Sequence, residues 1–160
     1  MSSKDLSPEE VLAKYTAGPD SGIFTDGGAR PNPGPGAWGM VYVEDGEIVK
    51  ELAGTDTDTT NNRMEMTAII NALKILQPNQ SVKIYADSQL CVKTLNEWAI
   101  NWERNAWKKK TGPIKNLDLV QEAYSLYQSL PQVELIWLKG HDGWRWNEYA
   151  DALATQAMFA

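Results

Sequence analysis

The stretch IFTDGGARPNPGPGAWGMVYVEDGEIVKELA, residues 23–53, decides the fold. Apolar Ile23-Phe24 leads into Thr25-Asp26 and halts at Gly27-Gly28, which predicts a short buried strand from Ile23 to Asp26. Ala29 to Gly36 carries Pro31, Pro33 and Pro35 and reads as a loop. Ala37 to Val43 predicts a second strand, Asp45-Gly46 a two-residue hairpin turn, and Glu47 to Ala53 a third strand. Three consecutive strands joined this way form an antiparallel meander.

Outward from the meander the period changes. Behind the polar run Thr59-Thr60-Asn61-Asn62, apolar Met64, Ala68, Ile69, Ala72, Leu73 and Leu76 recur at helical spacing, with Pro78 as the stop. Val82 to Ala86 predicts a short buried strand, Ser88 to about Trp98 a helix, Leu117 to Leu130 a helix, Val133 to Leu138 the last strand, and Asn147 to Met158 a closing helix. A meander followed by alternating helices and strands predicts an α/β fold, with a mixed sheet, later strands parallel, and helices packed on its faces. Upstream, residues 1–20 read as an N-terminal extension to a domain spanning 21–160. Ser7-Pro8-Glu9-Glu10 predicts a short helix there, with Ser as N-cap, Pro at N1 and Glu at N3.

Length and composition narrow the class. The chain has 160 residues, enough for one domain with a sizeable core. No apolar run approaches the roughly 20 residues a membrane helix needs, and the N-terminus lacks the apolar region of a secretory signal. A single cysteine, Cys91, excludes an intrachain disulfide, and one Cys with one His excludes a Cys/His zinc site. A cytoplasmic, monomeric protein is the expectation. The formal net charge is −6, yet the segment from Trp98 to Lys115 sums to +4 and leaves −10 on the rest. A basic island on an acidic body is a candidate docking surface for a polyanion, because salt screens charge beyond about 8–10 Å.

Four of the 21 acids stand out by position. Asp26 and Asp87 end neighbouring predicted strands, Glu65 lies in the first turn of the helix behind the meander, and Asp151 lies in the last helix. A strand-terminal Asp is often only a turn former, and Glu65 alone could complement a helix dipole. Brought together, however, four carboxylates repel one another unless cations sit among them, and hard oxygen donors suit Mg²⁺ or Mn²⁺. Two such ions about 4 Å apart can activate a water and stabilise the leaving oxygen of a phosphodiester.

The motifs Thr25-Asp26-Gly27-Gly28, Asn32-Pro33-Gly34-Pro35-Gly36, Thr60-Asn61-Asn62-Arg63-Met64-Glu65, Ala86-Asp87-Ser88-Gln89, Lys139-Gly140-His141 and Asn147-Glu148…Ala150-Asp151 resemble those of type 1 ribonuclease H, in that family's order, over about Gly22 to Met158. The resemblance implies a ribonuclease H-like five-stranded mixed sheet of order 3-2-1-4-5 flanked by helices. It implies an endonuclease that cuts the RNA strand of RNA–DNA hybrids and leaves 3′-hydroxyl and 5′-phosphate ends. Asp26, Glu65, Asp87 and Asp151 would hold two Mg²⁺ ions, with Mn²⁺ able to substitute, Asp26 bridging both ions and Asp151 the more mobile ligand. His141, the only histidine, would assist proton movement or product release. Asn32, Asn61, Asn62 and Gln89 match positions that touch sugars, phosphates or minor-groove base edges, and Thr60 matches part of a DNA-strand phosphate pocket.

The basic island matches the handle that grips the DNA strand, through Lys108, Lys109, Lys110 and with contact or packing from Trp102 and Trp107. Trp98 is expected to pack in the core. The chain departs from the pattern in Glu103 within the island, in Trp144-Arg145-Trp146, and in the first twenty residues, which are too short and acidic for a hybrid-binding domain. Rival readings fail on particular residues. An aspartyl-nucleophile phosphatase needs an Asp where Gly28 stands. Transposase, integrase and resolvase relatives of the fold lack the Thr60–Glu65 helix start. A non-catalytic hybrid binder should have lost one of the four acids.

Overall fold

The structure is a computed structural model, and it describes residues 6–160. Residues 1–5 of the N-terminal extension lie outside the described residues. The elements are α1 (Pro8–Lys14), β1 (Gly22–Ala29), β2 (Gly34–Glu44), β3 (Glu47–Thr59), α2 (Asn61–Lys74), β4 (Val82–Ala86), α3 (Gln89–Lys93), a π-helical turn (Thr94–Trp98), α4 (Ala99–Arg104), α5 (Leu117–Gln128), β5 (Val133–Trp137) and α6 (Arg145–Met158). The five strands form one sheet in the order β3-β2-β1-β4-β5. The meander pairs are antiparallel, whereas β1–β4 and β4–β5 are parallel.

Alternation along the strands divides the core between the two faces of the sheet. Ile23, Met40, Ile84 and Leu135 point to one face, under Ile69 and Leu73 of α2 and Val120 and Ala123 of α5. Phe24, Val41, Val43 and Tyr85 point to the other, under Trp146, Tyr149 and Leu153 of α6 and Val11 of α1. Phe24 and Tyr85 stack at 4.9 Å between ring centroids. Arg63 pairs with Asp118 at 2.8 Å and ties α2 to α5; that guanidinium holds the Asp118 carboxyl at about 2.

Several predicted boundaries move, among them β2, which begins at Gly34 inside the predicted loop, and α6, which begins at Arg145 and not Asn147. The first strand runs past Asp26 to Ala29, because Gly27, Gly28 and Ala29 keep pairing with Trp38, Ala37 and Gly36 of β2. Its parallel partner β4 stops at Ala86, opposite Thr25. Asp26 is therefore mid-strand toward β2 and just beyond the end of the parallel ladder toward β4. The third strand extends from Ala53 to Thr59, an exposed polar edge whose Gly, Thr and Asp residues look like a loop in sequence. The helix of α2 ends at Lys74, before Pro78, with Ile75 as its C-cap.

The predicted helix from Ser88 continues through the π-helical turn into α4. There Asn96 turns toward β5, donating from Nδ2 to the Leu135 carbonyl at 2.9 Å and accepting from the Tyr127 hydroxyl at 2.7 Å. Trp98 is 37% exposed, so the expectation that it packs in the core is corrected: the extra residue of the π turn leaves it at the surface, 6.1 Å from the Trp102 ring.

The short N-terminal helix forms with its capping box. Ser7 Oγ accepts from the Glu10 N–H and Glu10 Oε1 accepts from the Ser7 N–H, at 3.1 and 3.0 Å. It docks on α6, where burial of Val11 contributes about 1.5–3 kcal/mol. Among the described residues, no helix is long and apolar enough to cross a membrane. Cys91 is buried beside α2, and burial pushes its thiol up to about 11.

Candidate active site

Asp26 reaches the carboxyl edge of the sheet from β1, and Asp87 follows the last residue of β4. Thr60 caps α2, its Oγ1 accepting from the Arg63 N–H at 3.2 Å, and the helix then brings Glu65 against β1. Glu65 lies one residue past the first turn, whose described residues include no acid, so it is not placed to complement the helix dipole as a first-turn residue does. Asp151 projects from α6 and is buried.

The four acids meet. Oxygens of Asp26, Glu65 and Asp87 lie within 4.8 Å of one another, and so do ligand atoms of Asp26, Asp151 and His141. Asp26 belongs to both groups. Together with Gly27, Asn61, Ser88 and Gly140, residues Asp26, Glu65, Asp87 and His141 line an open cleft. One backbone N–H, that of Gly27, donates to Asp26 Oδ1 at 2.9 Å and to Glu65 Oε1 at 3.0 Å.

Asp26 and Glu65 carry their remaining oxygens, Oδ2 and Oε2, buried and without a hydrogen-bond partner among the described residues. Burial is the main cause that pushes both carboxyls well above the ordinary range, and the neighbouring acids add to it: Asp87 and Asp151 at Asp26, Asp26 and Asp87 at Glu65. Unsatisfied buried oxygens and mutual repulsion are what a bound divalent cation relieves, so the donor set fits a hard metal ion.

His141 sits in the loop between β5 and α6, its backbone left-handed at φ +56° and its side chain 46% exposed. Its N–H donates to Asn147 Oδ1 at 3.2 Å, and its Nδ1 lies 3.5 Å from Glu148 Oε1. Burial raises the Glu148 carboxyl, opposed by the nearby His141. Glu148 and Ser88 stand inside the motifs quoted above without a predicted site role; Ser88 Oγ caps α3 by accepting from the Cys91 N–H at 3.2 Å.

The remaining predicted positions divide into a rim and an arm. At the rim, Asn32 Oδ1 accepts from the Asn61 N–H at 3.1 Å and Asn61 Oδ1 from the Ala29 N–H at 2.8 Å, which links the proline loop to the start of α2. Asn61, Asn62 and Gln89 are exposed. On the arm beyond α4, Lys108, Lys109 and Lys110 are exposed, and Lys109 Nζ lies 5.8 Å over the Trp102 ring. Trp107 is half-buried, edge-on to Tyr124 at 6.1 Å.

Two overlapping groups of potential metal ligands, with Asp26, Glu65 and Asp151 buried and Asp87 half-buried, thus lie at the carboxyl edge of a 3-2-1-4-5 sheet. Comparison with known proteins identifies the class. Residues 19–159 match the RNase H family model. A ribonuclease H from Dechloromonas aromatica is 46% identical over 137 residues, covering 85% of this chain and 91% of that protein. One from Cupriavidus necator is 45% identical over 139 residues, covering 85% and 93%. Among solved structures, RNase H1 from the halophilic archaeon Halobacterium salinarum NRC-1 aligns at TM-score 0.62 and 30% identity, over 86% of this chain and 96% of that one. LC11-RNase H1 in complex with RNA/DNA hybrid aligns at 0.62 and 26%, over 86% and 95%. The chain belongs to the ribonuclease H family, the hydrolases that cut the RNA strand of RNA–DNA hybrids with the help of divalent metal.

Proposed function

We propose that Asp26, Glu65, Asp87 and Asp151 are the ligands of two Mg²⁺ ions, replaceable by Mn²⁺, and that the scissile phosphate of the RNA strand is presented to them across the open cleft. The observation that carries this is the double membership of Asp26, whose carboxylate lies within reach of Glu65 and Asp87 on one side and of Asp151 and His141 on the other. Bound divalent ions supply a water made nucleophilic and charge compensation at the leaving oxygen. The chain's own part is to hold the acids converged. The Gly27 N–H fixes the facing oxygens of Asp26 and Glu65. His141, with Nδ1 against Glu148, has Nε2 for moving a proton. Asn32, Thr60, Asn61, Asn62 and Gln89 suit the sugar and phosphate edges of a wide minor groove, where 2′-hydroxyls mark RNA. Trp102, Trp107 and Lys108–Lys110 suit the DNA strand. All four acids come from one chain, in keeping with a monomer, and a lone buried thiol suits a cytoplasmic setting.

A labelled RNA–DNA hybrid, double-stranded RNA and double-stranded DNA, each incubated with and without Mg²⁺, test the reading. Only the RNA of the hybrid should be cut, only with metal, and with 3′-hydroxyl and 5′-phosphate ends. Equal cleavage after chelation overturns it.

Two variants separate the cleft from the arm. Replacing Lys108, Lys109 and Lys110 together by Ala should weaken hybrid binding and flatten the log–log salt dependence of affinity by up to about three units. An unchanged slope places the docking surface elsewhere. His141→Ala should lower kcat by up to about 10²-fold at nearly constant KM, because a positioned acid–base group aids the reaction but metal supplies most of the stabilisation. A wild-type rate removes its role.

A further inference from the structure

The backbone at His141 is left-handed, a conformation uncommon outside glycine although histidine adopts it more readily than most residues, and here a side chain holds it. The hold is Asn147, whose Oδ1 accepts the His141 N–H from the first turn of α6. That turn lacks the usual side-chain cap: Trp144, at the N-cap, makes no capping hydrogen bond. A helix start without a cap leaves backbone N–H groups to be satisfied from elsewhere.

The N-terminal segment satisfies one of them. The Arg145 N–H donates to the Ala17 carbonyl at 2.9 Å, and Ala17 and Trp144 form a parallel β-bridge. The Arg145 side chain reaches back to the C-terminal end of α1, where Nη2 donates to the Leu12 carbonyl at 3.2 Å and Nε to that of Tyr15. Gly18, at φ +94°, lies so close to the Trp144 ring that an added Cβ would stand 2.7 Å from its Cγ. Trp144 in turn meets Tyr85 edge-on at 5.9 Å. The capping box of Ser7 and Glu10 and the buried Val11 anchor the other end of the segment. This segment precedes residue 19, where the family match begins.

We propose that residues 7–18 form a strut that holds the His141 loop in its working conformation, with Arg145 as the positioning residue. The inference rests on the role of His141 proposed above. It concerns turnover and not docking, since the strut contacts neither the rim asparagines nor the lysine arm in any described hydrogen bond.

Hybrid cleavage kinetics and amide hydrogen exchange, measured on the full chain, provide the test. Arg145→Ala should lower kcat about 5- to 10-fold with KM within twofold, and Arg145→Lys should restore part of the loss, since an ammonium can still meet one carbonyl. In a His141→Ala background, Arg145→Ala should cost less than a further twofold, because the residue it positions is gone. Exchange at the His141 amide should speed up at least tenfold in Arg145→Ala. Gly18→Ala, which pushes on Trp144 without touching Arg145, should show the same pattern and serves if Arg145→Ala does not fold. An equal loss in both backgrounds marks a general effect on the fold and overturns the strut, as does unchanged exchange at His141. A wild-type chain inert toward hybrid defeats the functional reading instead, and the exchange measurement still judges the strut.

Discussion

Asp26→Asn should abolish cleavage of an RNA–DNA hybrid, by at least about 10³-fold, and should raise the melting temperature of the metal-free protein. Both effects follow from the same carboxylate. Asp26 is shared by the two groups of potential metal ligands, so its loss weakens both at once. An amide keeps the shape but removes the negative charge that a hard cation requires. In the metal-free protein that charge is a burden: Asp26 is buried, its Oδ2 lacks a partner, and Asp87 and Asp151 repel it. The asparagine amide can donate to a facing carboxylate and carries no charge to desolvate. A gain on the order of 1–3 kcal/mol is expected, at roughly 2–4 °C per kcal/mol for a chain of this size.

The pH dependence has a definite sign. Asp26 and Glu65 are raised in the folded state, so above the ordinary carboxylate range the folded protein binds more protons than the unfolded chain. Metal-free stability should therefore fall as pH rises from about 4 through the raised values. The fall should be smaller in Asp26→Asn, and Mg²⁺ should raise the melting temperature of the wild type far more than that of the variant. Thermal melts with chelator and with Mg²⁺, beside a cleavage assay, check each point. Metal-dependent cleavage surviving in Asp26→Asn would remove the carboxylate cage from the mechanism.

The features that sequence disclosed best are those with a period or a punctuation of their own. The Asp45-Gly46 hairpin, the 3.6-residue spacing from Met64 to Leu73 and the Ser7–Glu10 box all depend on local chemistry and appear where expected. Strand ends were less legible. Gly27-Gly28 punctuates most sequences, yet here both glycines stay in the strand, paired with Trp38 and Ala37 of β2, and α2 crosses so close to Gly27 that a side chain there has no room. The joint placement of Asp26, Glu65, Asp87 and Asp151 pointed toward convergence, while position alone left individual acids open to a structural reading and only motif order named the reaction. Glu148 and the Arg145 contacts were hidden for a different reason. They join residues 130 or more apart in sequence, or act across a loop, and nothing local in the chain signals a guanidinium aimed at distant backbone carbonyls.

The close crossing of β1 and α2 leads to the second large effect. Gly27→Ala should cost about 1–3 kcal/mol of stability and lower kcat by at least about 10²-fold. A Cβ at residue 27 would stand 2.5 Å from the Met64 carbonyl carbon, 2.6 Å from its oxygen and 2.7 Å from the Glu65 nitrogen. These are backbone atoms of a helix packed on the sheet, so no side-chain rotamer can relieve the overlap. Either α2 or β1 must shift. Ile69 and Leu73 of α2 are almost fully buried against the sheet, and their packing resists the shift. Any shift that does occur separates Glu65 from Asp26, since the one N–H that fixes both belongs to residue 27 itself. Destabilisation and loss of rate are thus one displacement seen by two measurements, and the Mg²⁺ concentration for half-maximal activity should rise along with them. Denaturant unfolding, paired with a metal titration of the cleavage rate, separates this from simple unfolding: the folded fraction of Gly27→Ala should remain slow at saturating hybrid. Retention of both wild-type stability and wild-type rate would mean that the spacing of strand and helix does not set the geometry of the acids.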